Sequence, residues 1–261
     1  MGILNVTPDS FSDGGKYLDV DKALSHCRNL IKDGADIIDI GGESTKPGSE
    51  LISPEEEIER VIPVLKKIQS ISKDTIISID TTKSKVAKKA IEFGADIIND
   101  VSGLSFDAKM SEVVSDYDVH IIIMHMKGTP KNMQINPKYD FLINEISSFF
   151  NEKIKMAINS GIKKDRIIID PGIGFGKTIN HNFQILNKLN DFSAFGLPIM
   201  IGPSRKSFIG LTLDLPIDER IEGTSASVTA GIMNGAKIVR VHDVKEIKRV
   251  VKIADRIRKA I

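Results

Sequence analysis

The sequence predicts an α/β fold and, within that class, a (β/α)8 barrel formed as a single domain over residues 1–261. Three observations carry this expectation. Short apolar runs rich in β-branched residues recur along the chain, separated by amphipathic helical stretches. Three of them repeat one local pattern: Gly34-Ala35-Asp36-Ile37-Ile38-Asp39-Ile40, Gly94-Ala95-Asp96-Ile97-Ile98-Asn99-Asp100 and Gly235-Ala236-Lys237-Ile238-Val239-Arg240-Val241. The chain has 261 residues, and such barrels typically take about 250.

Strands are expected over residues 2–5, 37–40, 76–80, 97–100, 120–124, 167–170, 199–201 and 238–241. Their apolar residues do not alternate with polar ones, as befits parallel strands covered on both faces. The clearest helices are expected over 21–33, 54–70, 84–93, 141–160, 217–234 and 244–259, with less regular patterns over 108–115 and 180–189. In each repeat the glycine suits the left-handed residue that ends a helix. Ser53 is a capping residue for the second helix, and Glu55, Glu56 and Glu57 favour its N-terminal dipole. A doubly wound open sheet has the same strand count and remains the competing architecture. No linker or shift of composition divides the chain. The longer irregular stretches, 7–18, 41–52 and 125–139, all follow strands, and in a barrel such loops lie on the active-site face.

Composition excludes several function classes. Lys and Arg total 36 against 35 Asp and Glu, a net charge of +1, without the basic stripe that nucleic-acid binding requires. Hydrophobic residues at 41% and charged residues at 27% are ordinary for a globular chain. The lone Cys27 precludes an internal disulfide or a multi-cysteine zinc site, and its place in a helix suits a small core residue. The run 119–124 is strand-sized, far short of a membrane span. The N-terminus lacks a basic start followed by an apolar signal core, so a soluble, reduced, cytoplasmic protein is expected.

Polar residues collect at predicted strand ends: Asn5, Asp80, Asn99, Asp100, His125, Asp170, Ser204, Arg205, Lys206, Arg240 and His242. Each alone is as well explained by capping. As a set they converge on one barrel mouth, and capping does not call for carboxylates, a carboxamide, a lysine and an arginine together. Asp80, Asn99 and Asp170 offer acceptors for a flat heterocycle with an amidine-like edge, and Lys206 can take the acceptor edge of the same ring. Arg240 and His242 flank Val241 and so share one side of their strand. With Asn5 and Thr45 they can hold an anionic group and a hard cation such as magnesium. His120, His125, His181 and His242 match no ligand spacing of a transition metal.

Two motifs fail. Residues 171–178 end like a P-loop, but Pro171 stands where its first glycine is required. Their glycines instead suit close approach of the backbone to a ligand. Ser204 lacks the partners of a nucleophile elbow.

At these residues the chain resembles dihydropteroate synthase, over almost its whole length. The resemblance is carried by residues 1–15, with Asn5-Val6-Thr7-Pro8-Asp9-Ser10-Phe11-Ser12-Asp13, by Gly42-Glu43-Ser44-Thr45-Lys46-Pro47-Gly48 and by Ser78-Ile79-Asp80-Thr81. It continues through Ile98-Asn99-Asp100, Met124-His125-Met126-Lys127-Gly128, Asp170-Pro171-Gly172-Ile173-Gly174-Phe175-Gly176-Lys177, Ser204-Arg205-Lys206 and Arg240-Val241-His242-Asp243.

The resemblance implies a barrel that joins 6-hydroxymethyl-7,8-dihydropterin diphosphate to 4-aminobenzoate, a cytoplasmic homodimer of the folate pathway and a target of sulfonamides. It implies that Asp80, Asn99, Asp170 and Lys206 bind the pterin, that Thr45, Arg240 and His242 hold the diphosphate, and that Asn5 contacts Mg2+. Phe11, Lys46, Pro47, Phe175 and Ser207 would form the aminobenzoate site, with Lys206 and Asp13 next to the chemistry. Neither nucleic acid nor a membrane is an implied partner.

Two features depart from the pattern. Lys46 stands where many members have arginine, replacing a planar fork with a point charge. The first strand also begins almost at Met1, so a short strand or a trimmed N-terminus is expected. A corrinoid-linked methyltetrahydrofolate methyltransferase and a noncatalytic pterin-binding paralogue are the alternatives.

Overall fold

The computed structural model describes residues 1–7, 16–44, 49, 51–72 and 74–260, with residues 16–19 described in backbone only. Among them, strands and helices alternate as β1 (Gly2–Asn5), α1 (Lys16–Lys32), β2 (Ile37–Gly41), α2 (Pro54–Ile71), β3 (Ile76–Asp80), α3 (Ser84–Glu92), β4 (Ile97–Asp100) and α4 (Met110–Tyr117). They continue as β5 (His120–Met124), α5 (Leu142–Asn159), β6 (Ile167–Asp170), α6 (Ile179–Asn187), β7 (Met200–Ile201), α7 (Ser207–Leu213), α8 (Ile221–Met233), β8 (Ile238–Val239) and α9 (Val244–Lys259).

β1 to β6 form a parallel sheet in sequence order, and β7 pairs with β8 in parallel. Single parallel bridges join the two pieces on both sides, from Ile169 to Ile199 and from Val241 to Gly2. The backbone bonds Ile169 N to Pro198 O and Ile3 N to Val241 O, each 3.0 Å, accompany them. Sequential order with both edges joined is a closed barrel, which an open doubly wound sheet cannot produce.

The strand expectations held closely. β7 and β8 are shorter than expected because Ile199 and Val241 make isolated bridges to the other sheet instead of extending their own ladder. α1 starts five residues earlier than residue 21, at Lys16. The helix expected over 217–234 is preceded by a separate 3-10 turn, Ile217–Glu219. α7 was not anticipated. It has seven residues, too few for a period to stand out. Its Gly210 lies where a Cβ would come 2.2 Å from the Arg220 guanidinium, so close packing dictates a residue that reads as a helix breaker.

Local chemistry explains the joints. Gly34, Gly94 and Gly235 have φ of 97°, 91° and 107°, the left-handed exit expected of the repeat. Ser53 caps α2, its Oγ accepting the Glu56 N–H at 3.1 Å. Cys27 is fully buried in α1, and desolvation pushes its thiol up to about 11, so it is an inert core residue.

The strands do alternate, but between two apolar environments. Ile98, Ile121, Ile123, Ile167 and Ile169 face the helices in the larger core, whereas Ile97, Ile122, Ile168, Met1 and Met200 pack inside the barrel as its floor. One step of two residues above that floor the inward positions become Asn99 in β4 and Asp170 in β6. No described helix is long and apolar enough to cross a membrane.

Between sheet and helices, Phe150 of α5 meets Phe192 and Phe195 edge-on, with centroids 5.7 Å away in each case, and is fully buried. Phe150→Ala should cost about 3–5 kcal/mol of folding stability, the range for a truncated buried aromatic. Urea unfolding checks it, and a loss below about 1 kcal/mol would mean that this layer closes over the cavity.

Candidate active site

The centre of the site is a buried guanidinium shared by two carboxylates. Arg240 Nε donates to Asp39 Oδ2 at 2.6 Å and Nη2 to Asp80 Oδ2 at 2.9 Å. The Asn99 carboxamide donates to the same Asp39 oxygen at 3.2 Å. These groups arrive from β2, β3, β4 and the residue after β8, at adjacent inward positions: Asp39 is in register with Ser78, and Asp80 with Asn99.

One acceptor on each partner is left over. Asp39 Oδ1, Asp80 Oδ1 and Asn99 Oδ1 are buried without a hydrogen-bond partner among the described residues. An orphaned buried acceptor is costly unless a ligand supplies the donor. Desolvation lifts the Asp80 carboxyl to about 7 against the opposing pull of Arg240. A ligand bearing N–H donors would restore the carboxylate.

Across the lumen, Asp170 Oδ1 accepts the Gly172 N–H at 2.7 Å. Lys206 Nζ donates to Ile173 O and stands 4.4 Å above the centroid of the Phe175 ring. Desolvation lowers the Lys206 ammonium to about 8, with Asp170 pulling the other way. Ser207 follows Lys206 as the first residue of α7.

The Asp170–Lys177 segment approaches protein closely, where the sequence suggested a ligand. A Cβ at Gly172, with φ of 71°, would come 2.0 Å from His125 O, and one at Gly174, with φ of 82°, would come 2.8 Å from Lys206 Cδ. Glycine is therefore required to fit the segment between the end of β5 and Lys206. Lys177 is fastened underneath, its Nζ 3.0 Å from His125 Nδ1, 3.3 Å from His125 O and 2.9 Å from Phe175 O. Burial, followed by the charge of Lys177, drives His125 down to about 2, so it is neutral.

At the mouth, His242 Nδ1 lies 3.0 Å from Ser204 Oγ, which also accepts the His242 backbone N–H at 3.2 Å. Desolvation and then Arg240 lower His242 to about 4, leaving a neutral imidazole at pH 7. Asn5 ends β1. A Cβ on Gly41 would come 3.5 Å from Asn5 Oδ1 and 3.8 Å from Asp80 Oδ2, so the missing side chain leaves a small cradle between two oxygens.

Other strand-end residues turn out to be braces. Asp100 accepts from Ser102 N at 2.8 Å, Ser102 Oγ at 2.6 Å and Leu104 N at 2.9 Å, which shapes the loop after β4. Arg205 forms a two-pronged pair with Asp243, with its Nε 2.9 Å from Oδ2. Among the four histidines, His181 completes the capping box of α6, and His120 begins β5 while His125 follows its far end. No group of three or more His, Cys, Asp or Glu able to hold a metal exists among the described residues.

Phe11, Asp13, Thr45, Lys46 and Pro47 lie outside the described residues. Sequence reasoning missed Asp39, although a carboxylate within an otherwise apolar strand is a visible signal.

A family profile described as "Pterin binding enzyme" matches residues 1–242. The dihydropteroate synthase of Bacillus subtilis (strain 168) is 50% identical over 255 residues, 98% of this chain and 87% of that protein. The crystal structure of Yersinia pestis dihydropteroate synthase in complex with a sulfonamide drug superposes with a TM-score of 0.94 at 43% identity, covering 100% of this chain and 94% of that one. That of the Clostridium difficile enzyme in the presence of pteroic acid gives 0.93 at 45% identity, covering 98% and 95%. The chain belongs to the pterin binding enzymes and, among them, to the dihydropteroate synthase family.

Proposed function

We propose that the protein condenses 6-hydroxymethyl-7,8-dihydropterin diphosphate with 4-aminobenzoate to give 7,8-dihydropteroate and pyrophosphate, and that the whole chain serves this as one barrel domain. The observation that carries the site assignment is the set of orphaned acceptors facing a lysine across a closed lumen. Asp80 Oδ1 and Asn99 Oδ1, with the Asp170 carboxylate, match the donor edge of a pterin, and the Lys206 ammonium matches its acceptor edge.

Arg240 is aimed by its two carboxylates, and its Nη1 belongs to neither of those bonds. A Ser204 hydroxyl that donates to Nδ1 leaves the His242 N–H on Nε2, a donor for a phosphate oxygen. These groups, with Thr45, would hold the diphosphate. The C–O bond then breaks with its electron pair going to pyrophosphate, and Arg240 and His242 stabilise the charge that develops there. Electron release from the dihydropterin ring supports the methylene cation, and Asp13 is assigned to its vicinity. The arylamine nitrogen forms the new C–N bond and loses one proton. Phe11, Lys46, Pro47, Phe175 and Ser207 would hold the aminobenzoate ring, and a sulfonamide would compete there.

The cradle between Asn5 Oδ1 and Asp80 fits Mg2+, which takes hard oxygen ligands and completes its shell with phosphate oxygens and water. When bound it would neutralise diphosphate charge. A cytoplasmic homodimer is the accompanying expectation.

Pyrophosphate release from the dihydropterin diphosphate, followed together with dihydropteroate formation, tests the proposal. Both should appear in equal amounts once 4-aminobenzoate and magnesium are present. Release without condensation would locate a fault in the aminobenzoate site, and pterin binding with neither product would select the noncatalytic paralogue. Asp170→Asn keeps the acceptor for Gly172 but removes the charge, so pterin affinity should fall about 10- to 100-fold, the loss of one charge-assisted hydrogen bond. Unchanged calorimetric affinity would remove Asp170 from the pocket. The Lys206 ammonium is the required form and is lost as pH rises through about 8. The kcat/KM for the pterin diphosphate should therefore fall above that pH, with the alkaline limb absent in Lys206→Met. A limb that persists in the variant would assign it to another group.

A further inference from the structure

The loop between β2 and α2 is closed at its neck by a buried charge cluster outside the lumen. Glu43, shortly after β2, accepts through one oxygen, Oε1, from Ile52 N at 2.7 Å and from Lys83 Nζ at 2.9 Å. Residues 43 and 52 therefore bracket the segment that contains Thr45, Lys46 and Pro47. Lys83, immediately before α3, also donates to Glu57 Oε2 of α2 at 2.6 Å. The side chains of Lys83, Glu43 and Glu57 are 17%, 9% and 0% exposed, and Glu57 Oε1 has no partner among the described residues.

Two further contacts hold the same neck. Ser49 Oγ donates to Ser44 Oγ at 2.9 Å, and Arg60 Nη1 donates to Gly42 O at 2.9 Å. A Cβ at Gly42 would come 2.7 Å from Val61 Cγ2 and 3.0 Å from Glu57 Cγ, so the backbone entering the loop is pressed onto α2. Desolvation works against the Lys83 charge, but its bonds to Glu57 and Glu43 outweigh it and hold the ammonium above its ordinary value. Burial lifts Glu57 in turn. Two carboxylates around one ammonium, with an acceptor orphaned, is a poor way to add stability, since apolar residues would fill the space at lower cost. What the arrangement supplies is direction.

We infer that Lys83, backed by Glu57, is a positioning residue: it aims the Glu43 carboxylate at the Ile52 amide and so presents Thr45 and Lys46 to the diphosphate and the arylamine. The inference rests on the loop assignments of the proposed function. It places a determinant of aminobenzoate binding on α3, in a residue that itself contacts neither substrate.

Steady-state kinetics of the full chain test it. Lys83→Met should raise the KM for 4-aminobenzoate about tenfold, a moderate loss for a misplaced binding group. Calorimetric affinity for 6-hydroxymethylpterin, which lacks the diphosphate, should stay within about twofold because its pocket lies in the lumen. Lys83→Arg should recover most of the loss. A merely structural role would lower the active fraction and leave both constants unchanged, and that result overturns the inference. Lys46→Ala separates the two levels. If it raises the KM while Lys83→Met does not, the inference fails alone; if it leaves the KM unchanged, the loop assignment fails and takes the inference with it. Should Lys83→Met not fold, Glu43→Gln replaces it: a several-fold rise in the same KM supports the inference, and an unchanged KM overturns it.

Discussion

The Arg240 guanidinium between Asp39 and Asp80 sets the geometry of the barrel's upper half. Two carboxylates and one cation cannot be buried above an apolar floor unless their hydrogen-bonding directions are nearly all used. Each carboxylate spends one oxygen on Arg240 and holds the other without a partner among the described residues. The cluster is therefore incomplete without a donor-rich ligand, and the same residues that fix the arginine define where that ligand must sit. Asn99, bonded to Asp39 through its nitrogen, is oriented so that its oxygen joins the orphaned set.

The opposite wall is built by a different device. Gly172 and Gly174 let the segment after β6 lie against the end of β5 and against Lys206, at distances that no Cβ would tolerate. Lys177 fastens it from below through three acceptors, and Lys206 rests on the Phe175 ring above. The pterin-binding lysine and an aromatic side of the proposed aminobenzoate site are thus parts of one packed unit. The first wall gains its precision from charge, the second from backbone contact.

Beyond the lumen, precision passes to ties between elements. Arg205 with Asp243 and Ser204 with His242 join the end of β7 to the end of β8, while Glu43, Lys83 and Glu57 join the β2 loop to α2 and α3. These ties span 38 to 40 residues for Ser204–His242 and Glu43–Lys83. They hold loops whose own sequences are too polar to form a core.

The eight strands, most helix limits, the capping of α2 and the inertness of Cys27 were legible in the sequence, because each depends on residues a few positions apart: a β-branched run, a left-handed glycine, a serine before a helix. The pterin-site residues were legible as well, through their place at strand ends and through the family resemblance. Asp39, the bracing roles of Asp100 and Arg205, the short helix α7 and the neck formed by Glu43 and Lys83 were not. Each depends on which way a side chain points after the barrel has closed and on partners dozens or hundreds of residues distant, as with Arg240 and Asp39, 201 positions apart. Local chemistry determined the elements; the closure that brings residue 241 beside residue 2 decided which polar residues became a site and which became struts.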